Sequence, residues 1–201
     1  MLVGETKTLN ITTQNTDFTV SVSPASGSGC VKSGNNTVSC TPTKAGIYNV
    51  TVTAGADETQ KAASVLTVKS LNKALLVQLI NSYRTTGCYC GNEGYFRSTS
   101  PLTWSDTIES AAYDHSLDML TNNFFSHTGS DGSDTGDRLE RRDYVWITWG
   151  ENIAWGYGTE EEVIQGWMSS SGHCSNIMYP DFEEMGIAKA GIYWTLDLAK
   201  R

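Results

Sequence analysis

Residues 149–156 read Trp-Gly-Glu-Asn-Ile-Ala-Trp-Gly, "WGENIAWG". Glu151 is the one charged group in this stretch, set among two tryptophans, an isoleucine and two glycines. An ionised carboxylate in apolar surroundings is costly without counter-charges or hydrogen bonds. Its partners must come from elsewhere in the chain, so the surrounding elements decide what Glu151 does.

On the C-terminal side, Thr159 followed by Glu162 forms a capping box ahead of Val163, Ile164 and Trp167, which predicts a helix. Glu160, Glu161 and Glu162 suit the positive end of that helix. On the N-terminal side, Ser105 is a fair N-cap, and Ile108, Ala111, Ala112, His115 and Met119 form one stripe of a second helix. His115 therefore lies on an apolar face, the place of a packed, hydrogen-bonded core histidine. Earlier still, "SLNKALLVQLINSYRTTG" repeats Leu71, Leu75, Leu76, Leu79, Ile80 and Tyr83 at helical steps, with Gly87 as the stop. "VWITW", "MGIAKA" and "GIYWTL" read as strands. Helices and strands without βαβ alternation predict an α+β layered domain with an antiparallel sheet over residues 69–201.

Composition changes near position 69. Residues 1–68 are rich in Thr, Ser, Val and Asn, with alternating runs "TKTLNITT", "FTVSVSP", "YNVTVTA" and "ASVLTV" between turn residues. That pattern predicts a small antiparallel β-sandwich. Its closing "AGIYNVTVTA…SVLTV" cadence resembles the immunoglobulin-like repeats of bacterial surface proteins, which implies a spacer or stalk. All six tryptophans and all three histidines lie after this module.

The net charge is −8, and residues 69–201 carry the whole excess, with eighteen acids against ten Lys and Arg. Such a surface repels phosphate backbones and argues against nucleic acid and anionic membranes as partners. No apolar run approaches the roughly 18 residues of a membrane span. The start, "MLVGETKTLNIT", lacks the basic and apolar regions of a signal peptide, so the chain reads as a fragment of something longer.

Cys30 and Cys40 flank "GNN" at 34–36 symmetrically, and a hairpin turning there places them opposite each other for a disulfide. Cys88, Cys90 and Cys174 cannot all pair. A bond between Cys88 and Cys90 would be strained, so one of them joins Cys174 and the other is left as an odd thiol. The cysteine spacing does not match a zinc finger. Disulfides place the chain in an oxidising compartment.

Four segments stand in order: "NSYR", "DMLTNNFFSHTGSDG", "WGENIAWG" and "GWMSSSGHCSNIMYPDFEEMGI". Together they closely resemble the CAP superfamily (SCP-like extracellular proteins, grouping cysteine-rich secretory proteins, antigen 5 and pathogenesis-related 1) in its bacterial branch, over roughly residues 71–196. The resemblance implies an α-β-α sandwich, secretion or surface display, and a Cys90–Cys174 disulfide. It also implies a central cleft holding His127, Glu151 and His173. Two family positions differ: no Glu stands three residues after Trp167, where Ser170 is found, and Leu196 replaces the Gln of "YWTQ".

His127, Glu151 and His173 are a candidate zinc or other divalent-metal set with an open position. Without metal, Glu151 would orient one imidazole as a general base, which makes it the candidate catalytic residue; alternatively the three form a structural network. Asp131, Asp134 and Asp137 recur every third residue without the EF-hand pattern, and capping of the next helix is the expected role; Arg138 after them is expected to be structural. Trp149, Trp155, Trp167 and Trp194 either fill the core or line a groove for a lipid or sugar. The sequence thus predicts an extracellular, monomeric binding protein whose ligand is a lipid, sugar or peptide. The alternatives are a metal-dependent hydrolase and an adhesion or scaffold module.

Overall fold

The structure, a computed structural model, describes residues 1, 6–12, 18–54 and 60–201, with backbone alone at 60 and 68. It divides into two compact units, Met1–Ser70 and Leu71–Arg201.

In the first unit the alternating runs form β1 (Lys7–Asn10), β2 (Phe18–Ser23), β3 (Cys30–Gly34), β4 (Thr37–Cys40), β5 (Gly46–Ala54) and β6 (Gln60–Val68). They pair as two three-stranded antiparallel sheets, β1-β4-β3 and β2-β5-β6. Phe18, Val38, Tyr48, Val50, Val52 and Leu66 form the core, every second residue of β5 facing inward as period-two alternation requires. β3 and β4 turn between Gly34 and Thr37, which sets Cys30 opposite Cys40, and the two are disulfide-bonded.

The second unit begins with α1 (Lys73–Thr86), capped by the Asn72 side chain, followed by the short hairpin β7 (Cys88–Tyr89) and β8 (Tyr95–Phe96). Next come β9 (Thr103–Trp104), α2 (Asp106–Asn122) capped by Ser105, and α3 (Thr135–Glu140). β10 (Thr148–Trp155), α4 (Glu160–Met168), α5 (Ser171–Met178), β11 (Glu184–Ala190) and β12 (Tyr193–Lys200) complete the chain. Thr159 and Glu162 form the expected capping box, and Asp134 with Asp137 forms a second one on α3.

"WGENIAW" is itself strand β10, whereas the sequence reading put the strand at "VWITW". The reason is the partner's length: β12 ends at Lys200, which pairs Thr148 and accepts from the Ile147 N–H, so residues before 147 have no strand to bond. Val145 and Ile147 are exposed.

The sheet order is β10-β12-β11-β9, antiparallel except for a short parallel pairing of β9 with β11. Alternation along β12 sorts the layers. Trp194, Leu196 and Leu198 pack with Leu76 and Ile80 of α1, Val163 and Trp167 of α4 and Ile177 of α5. Thr195 and Ala199 face the other way, where Thr195 accepts a hydrogen bond from Ser116 of α2 and Ala199 packs with Ile108, Ala111 and Leu139. The result is an α-β-α sandwich. Gly186 is required there, because a Cβ on it would meet the backbone N of Glu109 in α2 at 2.0 Å. Arg84, fully buried, donates from α1 to the carbonyls of Ser100, Ile177, Tyr179 and Phe182, fixing the segment after α5, and burial lowers its pKa to about 10.

Candidate functional site

Residues opposite each other on paired antiparallel strands point to the same face. In the β10–β12 register Glu151 faces Asp197 and therefore lies on the α2–α3 side of the sheet. Asn152 lies on the opposite side, where its amide donates to the His173 carbonyl and its Oδ1 accepts from Asn176 of α5. Glu151 and His173 thus come from opposite layers. They approach each other at the open edge of the sheet, since β10 is an edge strand.

Both oxygens of Glu151 are engaged. Oε1 is 2.6 Å from Nδ1 of His127, and Oε2 accepts from Nη2 of Arg138 at 2.5 Å. Nε2 of His115 stands 3.8 Å from Oε2 and 2.9 Å from the Ser126 carbonyl. The Glu151 side chain is 2% exposed and that of Arg138 5%, so this is a buried ion pair. Burial opposes ionisation of Glu151, but the His127 hydrogen bond and the Arg138 charge together hold its carboxyl below the usual range. The same hydrogen bond raises the His127 imidazole above its ordinary value. Burial lowers His115, and burial with the nearby His127 charge lowers His173.

The acid in "WGENIAWG" is thus the counter-charge of Arg138 and the anchor of His127. Gly150 beside it has no room for a side chain, since a Cβ would meet Asn176 Oδ1 at 2.5 Å. α5 therefore seats directly on β10. Besides pairing with Glu151, Arg138 donates to the Ser133 carbonyl, the Thr135 hydroxyl and the His127 carbonyl, tying the His127 segment to α3.

His127 and His173 both line two cavities of about 520 and 670 Å³ at this edge. Phe125, Trp155 and Trp167 add an apolar wall to the first; Glu151, Asn176 and Trp149 contribute to the second. Among the described residues no hydrogen bond or ion pair links the His173 ring to Glu151. The ligand atoms of His127, Glu151 and His173 do not lie within 4.8 Å of one another; the cluster that does is Cys88, Cys90 and Cys174. Cys90 and Cys174 are joined as a disulfide and Cys88 is free. Trp167 and Trp194 are core, while Trp155 is 62% exposed, so the four tryptophans divide between the two expected roles.

The sequence reading did not single out Asp197. It is fully buried beside Glu151, and neither carboxyl oxygen has a hydrogen-bond partner among the described residues. Burial and the neighbouring Glu151 charge push it well above the ordinary carboxylate range. The only signal in the sequence was an acid inside an apolar strand, "TLDLA". Asp131, by contrast, pairs with Arg141 at the surface, and Asp134 and Asp137 cap α3, as expected.

Among the described residues no helix is long and apolar enough to cross a membrane. The chain is 31% identical over 144 residues to the uncharacterized protein YkwD of Bacillus subtilis, covering 71% of this chain and 52% of that one. It is 33% identical over 100 residues to the uncharacterized membrane protein YlbC of the same organism, covering 50% of this chain and 29% of that one. It thus spans about half or less of these relatives. The fold is similar to that of an extracellular protein containing an SCP domain from Bacillus anthracis, with TM-score 0.53, 21% identity and coverage of 89% of this chain and 68% of the other. An outer surface protein from Borrelia burgdorferi gives TM-score 0.54 at 20% identity over 64% of this chain and 91% of the other. With residues 77–193 matching the model of the family described as CAP, the cysteine-rich secretory protein family, the chain belongs to that family.

Proposed function

We propose that this chain is part of a secreted or surface-displayed protein whose edge cleft binds an extracellular ligand, with a divalent cation held by His127 and His173 as the anchoring group. The observation that carries the reading is the 2.6 Å contact between His127 Nδ1 and Glu151. Metal-binding histidines almost always donate their second ring nitrogen to a carboxylate or carbonyl, which fixes the tautomer and raises the basicity of the other nitrogen. Glu151 is the partner that orients His127; with both oxygens engaged, it is not a third ligand. When bound, the cation would supply a Lewis-acidic centre with open positions for an oxygen or nitrogen of the ligand.

Two disulfides support an oxidising, extracellular setting, as do the extracellular and outer-surface descriptions of the structural relatives. Residues 1–68 serve in this reading as an Ig-like spacer, separate from the binding domain of residues 69–201.

Calorimetric titration of zinc into chelator-treated protein tests the reading. Wild type is expected to bind at neutral pH, His127→Ala/His173→Ala to lose binding, and Glu151→Gln to weaken it about 10–100-fold, the range for a group that supports a metal ligand. Equal binding by wild type and the double variant, or none in either, overturns the cation and leaves a hydrogen-bonded network. Turnover of a peptide or cell-wall substrate that is lost in Glu151→Gln would instead assign hydrolysis.

A further inference from the structure

Cys88 is free, yet its Sγ stands 3.9 Å from the Sγ of Cys174, which is already bonded to Cys90. All three sulfurs lie within 4.8 Å of one another. The arrangement follows from local structure. Cys88 sits in the two-residue strand β7 with Cys90 just beyond it, and residues i and i+2 of an extended segment share a face. Both sulfurs are therefore presented to α5, where Cys174 is fully buried. Met178, Met168, Tyr83 and Phe96 enclose the cluster with apolar surface.

We infer that Cys88, Cys90 and Cys174 form an intramolecular thiol–disulfide exchange site, in which Cys88 takes over Cys174 and releases Cys90. The Cys88 thiolate attacks Cys174 Sγ, a Cys88–Cys174 bond forms as the Cys90–Cys174 bond breaks, and the electron pair leaves on Cys90. The proton lost by Cys88 is taken up by Cys90. No external oxidant or reductant enters, because one disulfide and one thiol are present before and after. In-line attack requires rotation of the Cys88 side chain, which its half-buried position at the hairpin edge allows.

The exchange reaches the cleft through its neighbours. Cys174 follows His173, which lines both cavities, and Cys88 pairs in register with Phe96, which lines the larger one. Moving the bond from Cys90 to Cys88 shifts by two residues the tether between this hairpin and α5. It also replaces a half-buried free thiol with one at a fully buried position.

Burial raises the Cys88 thiol, so the test uses the full chain without reductant, incubated at about pH 10 to populate the thiolate, then acid-quenched, alkylated and mapped by mass spectrometry with fragmentation between the two cysteines. Wild type is expected to show alkylation at Cys90 as well as Cys88, together with a peptide joining Cys88 to Cys174. The Cys90 signal should be at least about tenfold above that of Cys88→Ser and independent of protein concentration, as intramolecular exchange requires. Alkylation confined to Cys88, with Cys174 joined to Cys90 alone, overturns the inference. Cys90→Ser gives an independent readout: it is expected to close a Cys88–Cys174 bond on air oxidation, and two persistently free thiols in that folded variant would equally overturn it.

Discussion

Replacing Arg138 by Met tests the central claim that Glu151 is held by a buried counter-charge. The substitution keeps most of the side-chain volume and removes the donor to Glu151 Oε2 at 2.5 Å, together with the donors to Ser133 O at 3.1 Å and Thr135 Oγ1 at 3.0 Å. Breaking one partner out of a buried pair leaves an uncompensated charge and costs about 3–5 kcal/mol. Here the His127 hydrogen bond survives on the other oxygen, which moderates the loss, while three further acceptors, Ser133 O, Thr135 Oγ1 and the His127 carbonyl, lose their donor at up to about 1–3 kcal/mol each if left unsatisfied. A net destabilisation of about 4 kcal/mol is expected. For a unit the size of Leu71–Arg201 this lowers Tm by roughly 10–20 °C. Denaturant unfolding followed by tryptophan fluorescence is the assay, since all six tryptophans lie in this unit. In a Glu151→Gln background the same substitution should cost at least about 1–2 kcal/mol less, because the orphaned charge is gone. A loss below about 1 kcal/mol, or the same loss in both backgrounds, would refute the buried-pair reasoning.

Two further expectations concern protons. The His127 imidazole should titrate above the usual histidine value in NMR and fall toward it in Glu151→Gln; its contribution to stability is full below about pH 6.5 and fades as pH rises through the raised folded value, so unchanged titration in the variant would disprove the coupling. Asp197 is also raised by folding, so its own contribution to stability falls as pH climbs above about 4; Asp197→Asn should gain on wild type from about pH 4 toward neutrality, and parallel stability curves would show that folding does not raise Asp197.

Much of this was readable along the chain because it depends on local spacing. The capping box at Thr159, the Asp cap of α3, the stripes of α1 and α2, and the Cys30–Cys40 hairpin are relations among residues three to ten apart. Ordered motifs carried the family resemblance, which nominated His127, Glu151 and His173. Strand β10 was misplaced because its extent is set by where β12 ends, a contact more than forty residues away in sequence.

Periodicity, caps and motif order survive without a third dimension, so the element types and the family are legible along the chain, and the same motifs nominate His127, Glu151 and His173 for a cleft. Their surroundings depend on how distant parts of the chain pack. Strand pairing put Glu151 on the α2–α3 face opposite Asp197 and assigned its oxygens to His127 and Arg138, while His173 arrived from the other layer on α5. A carboxylate's chemistry is fixed by which charges and donors surround it after burial, and those neighbours are chosen by sheet register together with the packing of α3 and the His127 segment against the sheet.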